Sequence, residues 1–261
     1  MRYFRSVIYA GRRLYIKEYP TPAKGKNLFR PPRKAETTQK QKQLNDLYAA
    51  RKMALLILCN FIPWRDLFFT LTFRKRMSEK DAAKALEEFL DYFRKEFKKQ
   101  GKPFKYIWVK EKQSKWHFHI IMSEVPMSQI REAWKKYGDD IDISTLRPYD
   151  DYKGLTEYLV CENKPSRKKG TNGRNVKRPR RKGERRYSCS KNLDKPAVYE
   201  EEIKRISKSE PRPPKGYKLM EWTKWCDDMG FMHAEYGCIW CGAGPPPRAP
   251  LQKGGRKIAK N

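Results

Sequence analysis

Acidic side chains are scarce in this chain of 261 residues. Only 30 Asp and Glu face 60 Lys and Arg, a formal net charge of +30. Charge of one sign at that density destabilises a compact state by self-repulsion, and a polyanionic partner is the simplest compensation. Long apolar runs are missing too. The stretch from Ala54 to Phe61 is far shorter than the about 20 residues that cross a bilayer. No basic amphipathic helix stands alone, so the expected partner is nucleic acid and no membrane. Met1-Arg2-Tyr3-Phe4-Arg5 lacks the apolar region of a signal peptide. The six cysteines, Cys59, Cys161, Cys189, Cys226, Cys238 and Cys241, show no disulfide-framework spacing, and a reducing, cytoplasmic setting is expected. No Gly-rich phosphate-cradling motif occurs, so no helicase domain is expected. Histidine is rarest of all, with three residues in the chain.

Two of those three lie together in Trp116-His117-Phe118-His119-Ile120-Ile121-Met122. On a strand, side chains two apart point to one face. His117 and His119 therefore project together while Phe118 and Ile120 turn to the other face and pack. Paired imidazoles on a rigid strand make half of a divalent-metal site. The strand before it, Phe104 to Glu111, alternates in the same way, and Gln113-Ser114-Lys115 can turn the chain between the two. A tight hairpin would set Glu111 across from the histidines as a third ligand. Two imidazoles and one carboxylate, with positions open to water and substrate oxygen, suit Mn²⁺ or Mg²⁺ better than a closed zinc site.

The rest of the pattern is α+β. A helix is predicted over about 41–61, ended by Pro63. Leu67 to Phe73 reads as a buried strand. Ser78 caps a helix whose Ala82, Ala85, Leu86, Phe89, Leu90, Phe93 and Phe97 recur at helical spacing, with Gly101 at its end. After the hairpin come a short helix from Ser128 to Gly138, a strand at Ile141-Asp142-Ile143 and a helix over Asp151 to Glu162. The order predicts a ferredoxin-like antiparallel sheet built from a split β-α-β pattern, with helices on one face and basic extensions at both ends. Three regions are expected: a basic N-terminal arm over 1–40, with a short hairpin between Tyr9 and Tyr19; the main domain over 41–207; and a Trp- and Cys-containing extension over 208–261 with a Pro/Gly/Lys tail. Inside the main domain, 163–186 is low-complexity and basic. Its Lys164, Arg167, Lys168, Lys169, Arg174, Lys177, Arg178, Arg180, Arg181, Lys182, Arg185 and Arg186 are expected to contact DNA phosphates from a loop that orders on binding.

Two tyrosines stand near the end of the domain, Tyr152 and Tyr158. A tyrosine can attack a phosphodiester and hold the product as a phosphotyrosine. Six residues apart, roughly 240° around a helix, the two do not easily face one site. Residue pattern alone does not choose between them. Cys226, His233, Cys238 and Cys241 could bind zinc, or be unligated thiols and an imidazole in a small Trp-rich subdomain; their spacing matches no zinc finger.

The ordered blocks Phe69-Thr70-Leu71-Thr72-Phe73, then Glu111 with His117-Phe118-His119, then a helical Tyr158 before a basic loop, resemble the HUH endonuclease superfamily. More narrowly, they resemble the rolling-circle replication initiator (Rep) proteins of bacterial plasmids and phages. Asn60-Phe61 and Arg186-Tyr187-Ser188-Cys189-Ser190-Lys191-Asn192-Leu193 also have counterparts there, and the resemblance covers about 50–195. It implies that Glu111, His117 and His119 bind the divalent metal and that Tyr158 nicks one strand of origin DNA. The products would be a 5′-phosphotyrosine and a free 3′-OH, and host helicase and polymerase would be partners in the bacterial cytoplasm. In one respect the chain departs from the family pattern. A lysine often follows that tyrosine by about three residues, and here Cys161 stands there, leaving Lys153 or Lys164 to position the phosphate. A relaxase or transposase of the same superfamily, or a non-enzymatic basic nucleic-acid-binding protein, is the alternative.

Overall fold

The computed structural model describes residues 1–21, 38–112, 114–138, 141–148, 151–161, 180–181 and 183–250. In chain order its elements are β1 (Arg2–Ala10), β2 (Arg13–Thr21), α1 (Gln39–Asn60), β3 (Leu67–Thr72), α2 (Glu79–Lys99), β4 (Tyr106–Lys112) and β5 (Trp116–Met122), then α3 (Met127–Trp134), β6 (Ile141–Thr145), α4 (Lys153–Val160), β7 (Ser188–Cys189), β8 (Ala197–Ile203), β9 (Tyr217–Cys226) and β10 (Met232–Trp240). They divide into two units, one bounded by Thr37–Asp194 and the other formed by Met1–Glu36 with Lys195–Asn261. The fold is mixed α+β, with two five-stranded antiparallel sheets and four helices among the described residues.

The central unit holds a sheet of order β6-β3-β5-β4-β7. Its first four strands and two helices run β-α-β-β-α-β, the ferredoxin-like arrangement expected from the pattern. Strand alternation sends two sets of side chains to opposite faces. Leu67, Phe69, Leu71, Phe118, Ile120 and Met122 pack on Ala82, Phe89 and Phe93 of α2 and Ile130 and Trp134 of α3. Ile107, Val109 and Ile121 face the other way, against Met53 and Ile57 of α1 and Leu159 and Val160 of α4. The two helices inside the repeat thus share one face, while α1 and α4, which flank it, cover the second.

Local chemistry fixes the ends of these elements. Ser78 Oγ accepts from the Asp81 backbone N–H at 3.1 Å and caps α2. The α3 helix begins one residue earlier than expected, behind Pro126, with no side-chain cap. Proline needs none, because its fixed φ suits the entry to a helix. At the far end of α3 the chain passes so close to β3 that a Cβ on Gly138 would lie 2.1 Å from the Thr72 carbonyl oxygen. Trp134 Nε1 donates to that same oxygen at 3.1 Å, which anchors the end of β3.

The ends of the chain correct the expected domain plan. Residues 1–40 do not form an arm with a short hairpin. β1 and β2 pair over their full lengths, from Arg2 opposite Thr21 to Ala10 opposite Arg13. β1 then pairs with β8 and β2 with β10, in a sheet of order β8-β1-β2-β10-β9. The expected boundary at 207 moves to between Asp194 and Lys195, since β8 belongs to this second sheet. The reason is pairing between strands nearly the whole chain apart, which no local pattern reports. Val7, Leu14, Ile16, Tyr217, Tyr236 and Cys238 make its core. Arg5 bridges Glu18 at 2.8 Å and Glu201 at 2.9 Å, and the Tyr236 hydroxyl donates to Glu18 at 3.2 Å. Among the described residues, no helix is long and apolar enough to cross a membrane.

Candidate metal centre and nucleophile

The register of the β4–β5 hairpin sets Glu111 directly opposite His117. On the other side of β5, Thr72 lies opposite His117 and Thr70 opposite His119. All five side chains share the α1/α4 face. Glu111 Oε1 lies 3.6 Å from His117 Nε2, and Oε2 lies 3.4 Å from His119 Nε2. Donor atoms of the three residues fall within 4.8 Å of one another, and no other such group of His, Cys, Asp and Glu occurs among the described residues. Glu111 and His119 are buried, while His117 keeps 13% of its side-chain exposure. A carboxylate held out of water beside two neutral imidazoles is costly. A divalent cation accepted by two nitrogens and one oxygen would offset that cost, so the donor chemistry fits a metal ion.

The imidazole of His119 is held in place by its neighbours. Thr70 Oγ1 lies 3.0 Å from His119 Nδ1. With the Nδ1 proton donated to that hydroxyl, Nε2 presents its lone pair towards Glu111, the orientation a metal-binding histidine needs. Phe68 stacks on the ring at 6.4 Å between centroids. The two histidine rings stand 5.3 Å apart and nearly perpendicular.

Tyr158 projects from α4 with its ring centroid 6.3 Å from that of His119. It is half-exposed, at 51%. Partial burial, and secondarily the negative charge of Glu111, push its phenol above the ordinary value. Tyr152, the rival nucleophile, lies elsewhere. It is 2% exposed, packs in the α1/α4 core and donates its hydroxyl to the Arg147 carbonyl at 3.0 Å. It precedes α4 as its N-cap, with φ +54°, rather than sharing the helix. Packing makes it a core residue.

The basic residues separate as well. Lys153 opens α4 and is exposed. Lys164, Arg167, Lys168, Lys169, Arg174, Lys177, Arg178 and Lys182 lie outside the described residues. Of the remainder, Arg185 is exposed, but Arg180 and Arg186 both reach Asp46, and Arg181 reaches Glu79 at 3.0 Å. Acidic side chains on α1 and α2 therefore engage three arginines that the sequence suggested for DNA. The Cys/His set of the C-terminal region does not converge. Cys238 is buried, Cys226 and Cys241 are exposed, and His233 Nε2 meets Asp227 Oδ2 at 3.1 Å while stacking on Trp225.

Thr70 and Asp46 are the site residues that sequence reasoning missed. A faint signal existed for each: Thr70 alternates with Thr72 on one strand face, and Asp46 is the only acid in α1. No curated protein and no solved structure matches the chain significantly. Residues 66–162 match a family model described as Replication-associated protein, of the ORF2 type, so over the span that carries Glu111, His117, His119 and Tyr158 this chain is similar to proteins of DNA replication and points to a replication initiator.

Proposed function

We propose that the central unit is a metal-dependent, site-specific nickase and strand transferase for single-stranded DNA that initiates rolling-circle replication. The observation that carries this reading is the Tyr158 ring lying 6.3 Å from His119, whose other neighbours are the Glu111 carboxylate and the second imidazole. Glu111, His117 and His119 would hold Mn²⁺ or Mg²⁺. A cation bound there would draw charge from a phosphoryl oxygen and so lower the demand on a weak nucleophile.

Tyr158 Oη attacks the phosphorus. The bond from phosphorus to the 3′ oxygen breaks, and its electron pair stays on that oxygen. The phenol proton passes to water, which reaches the half-exposed ring, and the 3′ oxygen takes one up. One phosphodiester replaces another, so no nucleotide is consumed. A second transfer, from phosphotyrosine back to a 3′-OH, rejoins the strand. The free 3′-OH primes synthesis by a host polymerase, and a host helicase supplies unwinding. A mobilisation relaxase or transposase would share this chemistry.

Incubating the full chain with a pool of single-stranded oligonucleotides and Mn²⁺ tests the reading. The expected product is an SDS-resistant adduct, lost in Tyr158→Phe and in His117→Ala. Sequencing the held oligonucleotide maps the nick. Salt-sensitive binding with no adduct would leave only a nucleic-acid-binding protein and end this proposal.

A further inference from the structure

The α4 helix has eight residues, and a helix so short does not hold its shape by itself. It has no side-chain cap at its start, no basic residue in its own last turn, and a glycine, Gly154, in its first. Its last carbonyls have no partner within the helix. Tyr158 is half-exposed, so its own packing contributes little to where its ring points.

A buried carboxylate on another helix compensates through an arginine. Asp46 of α1 receives Arg180 Nη1 at 3.4 Å and Arg186 Nε at 2.5 Å. A second nitrogen of Arg180, Nη2, donates to the carbonyl of Val160, the last residue of α4 and two beyond Tyr158. Arg180 keeps 17% of its side-chain exposure and Asp46 10%. A cationic donor at a helix C-terminus satisfies an open carbonyl and complements the helix dipole. Only a planar fork reaches a carboxylate and a carbonyl at once.

We infer that Asp46 and Arg180 form a positioning clamp that fixes the end of α4, and with it the approach of Tyr158 to the metal centre. The inference rests on the nickase reading for its consequence, but not for its geometry. Arg180 is then a positioning residue rather than a phosphate contact, because its two guanidinium ends are already engaged within the protein.

The test uses the full chain with Arg180→Ala, Arg180→Lys, Asp46→Asn and the Asp46→Asn/Arg180→Ala pair. The DNA probe is the oligonucleotide mapped above, or a random pool if none is captured. At saturating DNA, adduct formation should slow about 10- to 100-fold in Arg180→Ala and Asp46→Asn, a loss typical of a misplaced reacting group. The double variant should be no slower than the worse single one, as for two members of one unit. Lysine should not rescue, since it lacks the fork. Mn²⁺ affinity and the salt dependence of DNA binding should stay unchanged. Amide exchange over 157–161 should quicken in both single variants.

Wild-type rates and wild-type exchange in Arg180→Ala would overturn the clamp. A salt slope lowered by about one would overturn it too, by making Arg180 a phosphate contact. Loss of Mn²⁺ affinity in the conservative Asp46→Asn would show a general structural role and overturn it as well. If the wild-type chain forms no adduct, the nickase reading falls, and the exchange measurement still decides whether Arg180 holds α4.

Discussion

The two five-stranded sheets differ in what presses on them. The central sheet is covered on both faces, by aromatic packing under α2 and α3 and by aliphatic packing under α1 and α4. The sheet formed by the chain ends has a small core and, among its described residues, no helix; it is knit across strands by Arg5, Glu18, Glu201 and Tyr236. Among the described residues, only the first carries a cluster of metal donors. Three donor atoms within a few ångströms need side chains whose backbone cannot drift, and a sheet immobilised from both sides supplies that. Cross-strand ion pairs tolerate more play, because long side chains follow one another.

Removing donors should have the largest effect. Glu111→Gln and His119→Ala should each abolish Mn²⁺ binding seen by titration calorimetry, and both should abolish the SDS-resistant adduct. Glu18→Gln in the other sheet should leave Mn²⁺ binding intact. Equal losses from both would break the distinction drawn here.

Core truncations come next. Phe118→Ala should cost about 3–5 kcal/mol by denaturant melts and should weaken Mn²⁺ binding, since Phe118 lies between the two histidines on β5. Ile16→Ala should cost about 2–4 kcal/mol with Mn²⁺ affinity unchanged. Retained metal affinity in Phe118→Ala would mean that packing beneath the histidines does not hold them.

Thr70→Val should weaken Mn²⁺ binding about 10-fold, the lower end for the loss of a residue that orients a metal-binding histidine. The fold should persist, with an unchanged melting curve. An unchanged affinity would show that Phe68 and Glu111 orient His119 without Thr70.

The smallest effect concerns Cys238. Burial pushes its thiol up to about 11. Its folded value lies above the unfolded one, so the associated stability is full below the unfolded value, near 8.5, and is lost as pH rises towards 11. At pH 8, iodoacetamide should label the exposed Cys226 and Cys241 within minutes and leave Cys238 unmodified, read by peptide mass spectrometry. Rapid labelling of Cys238 would mean that this sheet opens.

Much of the central unit was legible before its structure. The period-two pattern of β4 and β5 placed Glu111 and the histidines on one face, because alternation is a local property of extended backbone. Ser78 and the apolar stripe of α2 were equally readable. The two tyrosines were not separable by pattern, since both carry the same hydroxyl and only packing buried Tyr152 against Arg147. Arg180 and Arg186 read as solvent-facing positive charge because their partner, Asp46, lies far away in sequence.

The amino-acid order by itself determined the elements, the hairpin and the His-x-His spacing, all of which depend on near neighbours. Tertiary structure alone decided that the chain ends form a second sheet, that Tyr158 faces the donors, and that Asp46 gathers two arginines beside α4. Each of these depends on groups that meet only after distant segments have packed, and the burial that selects them exists only in the folded chain.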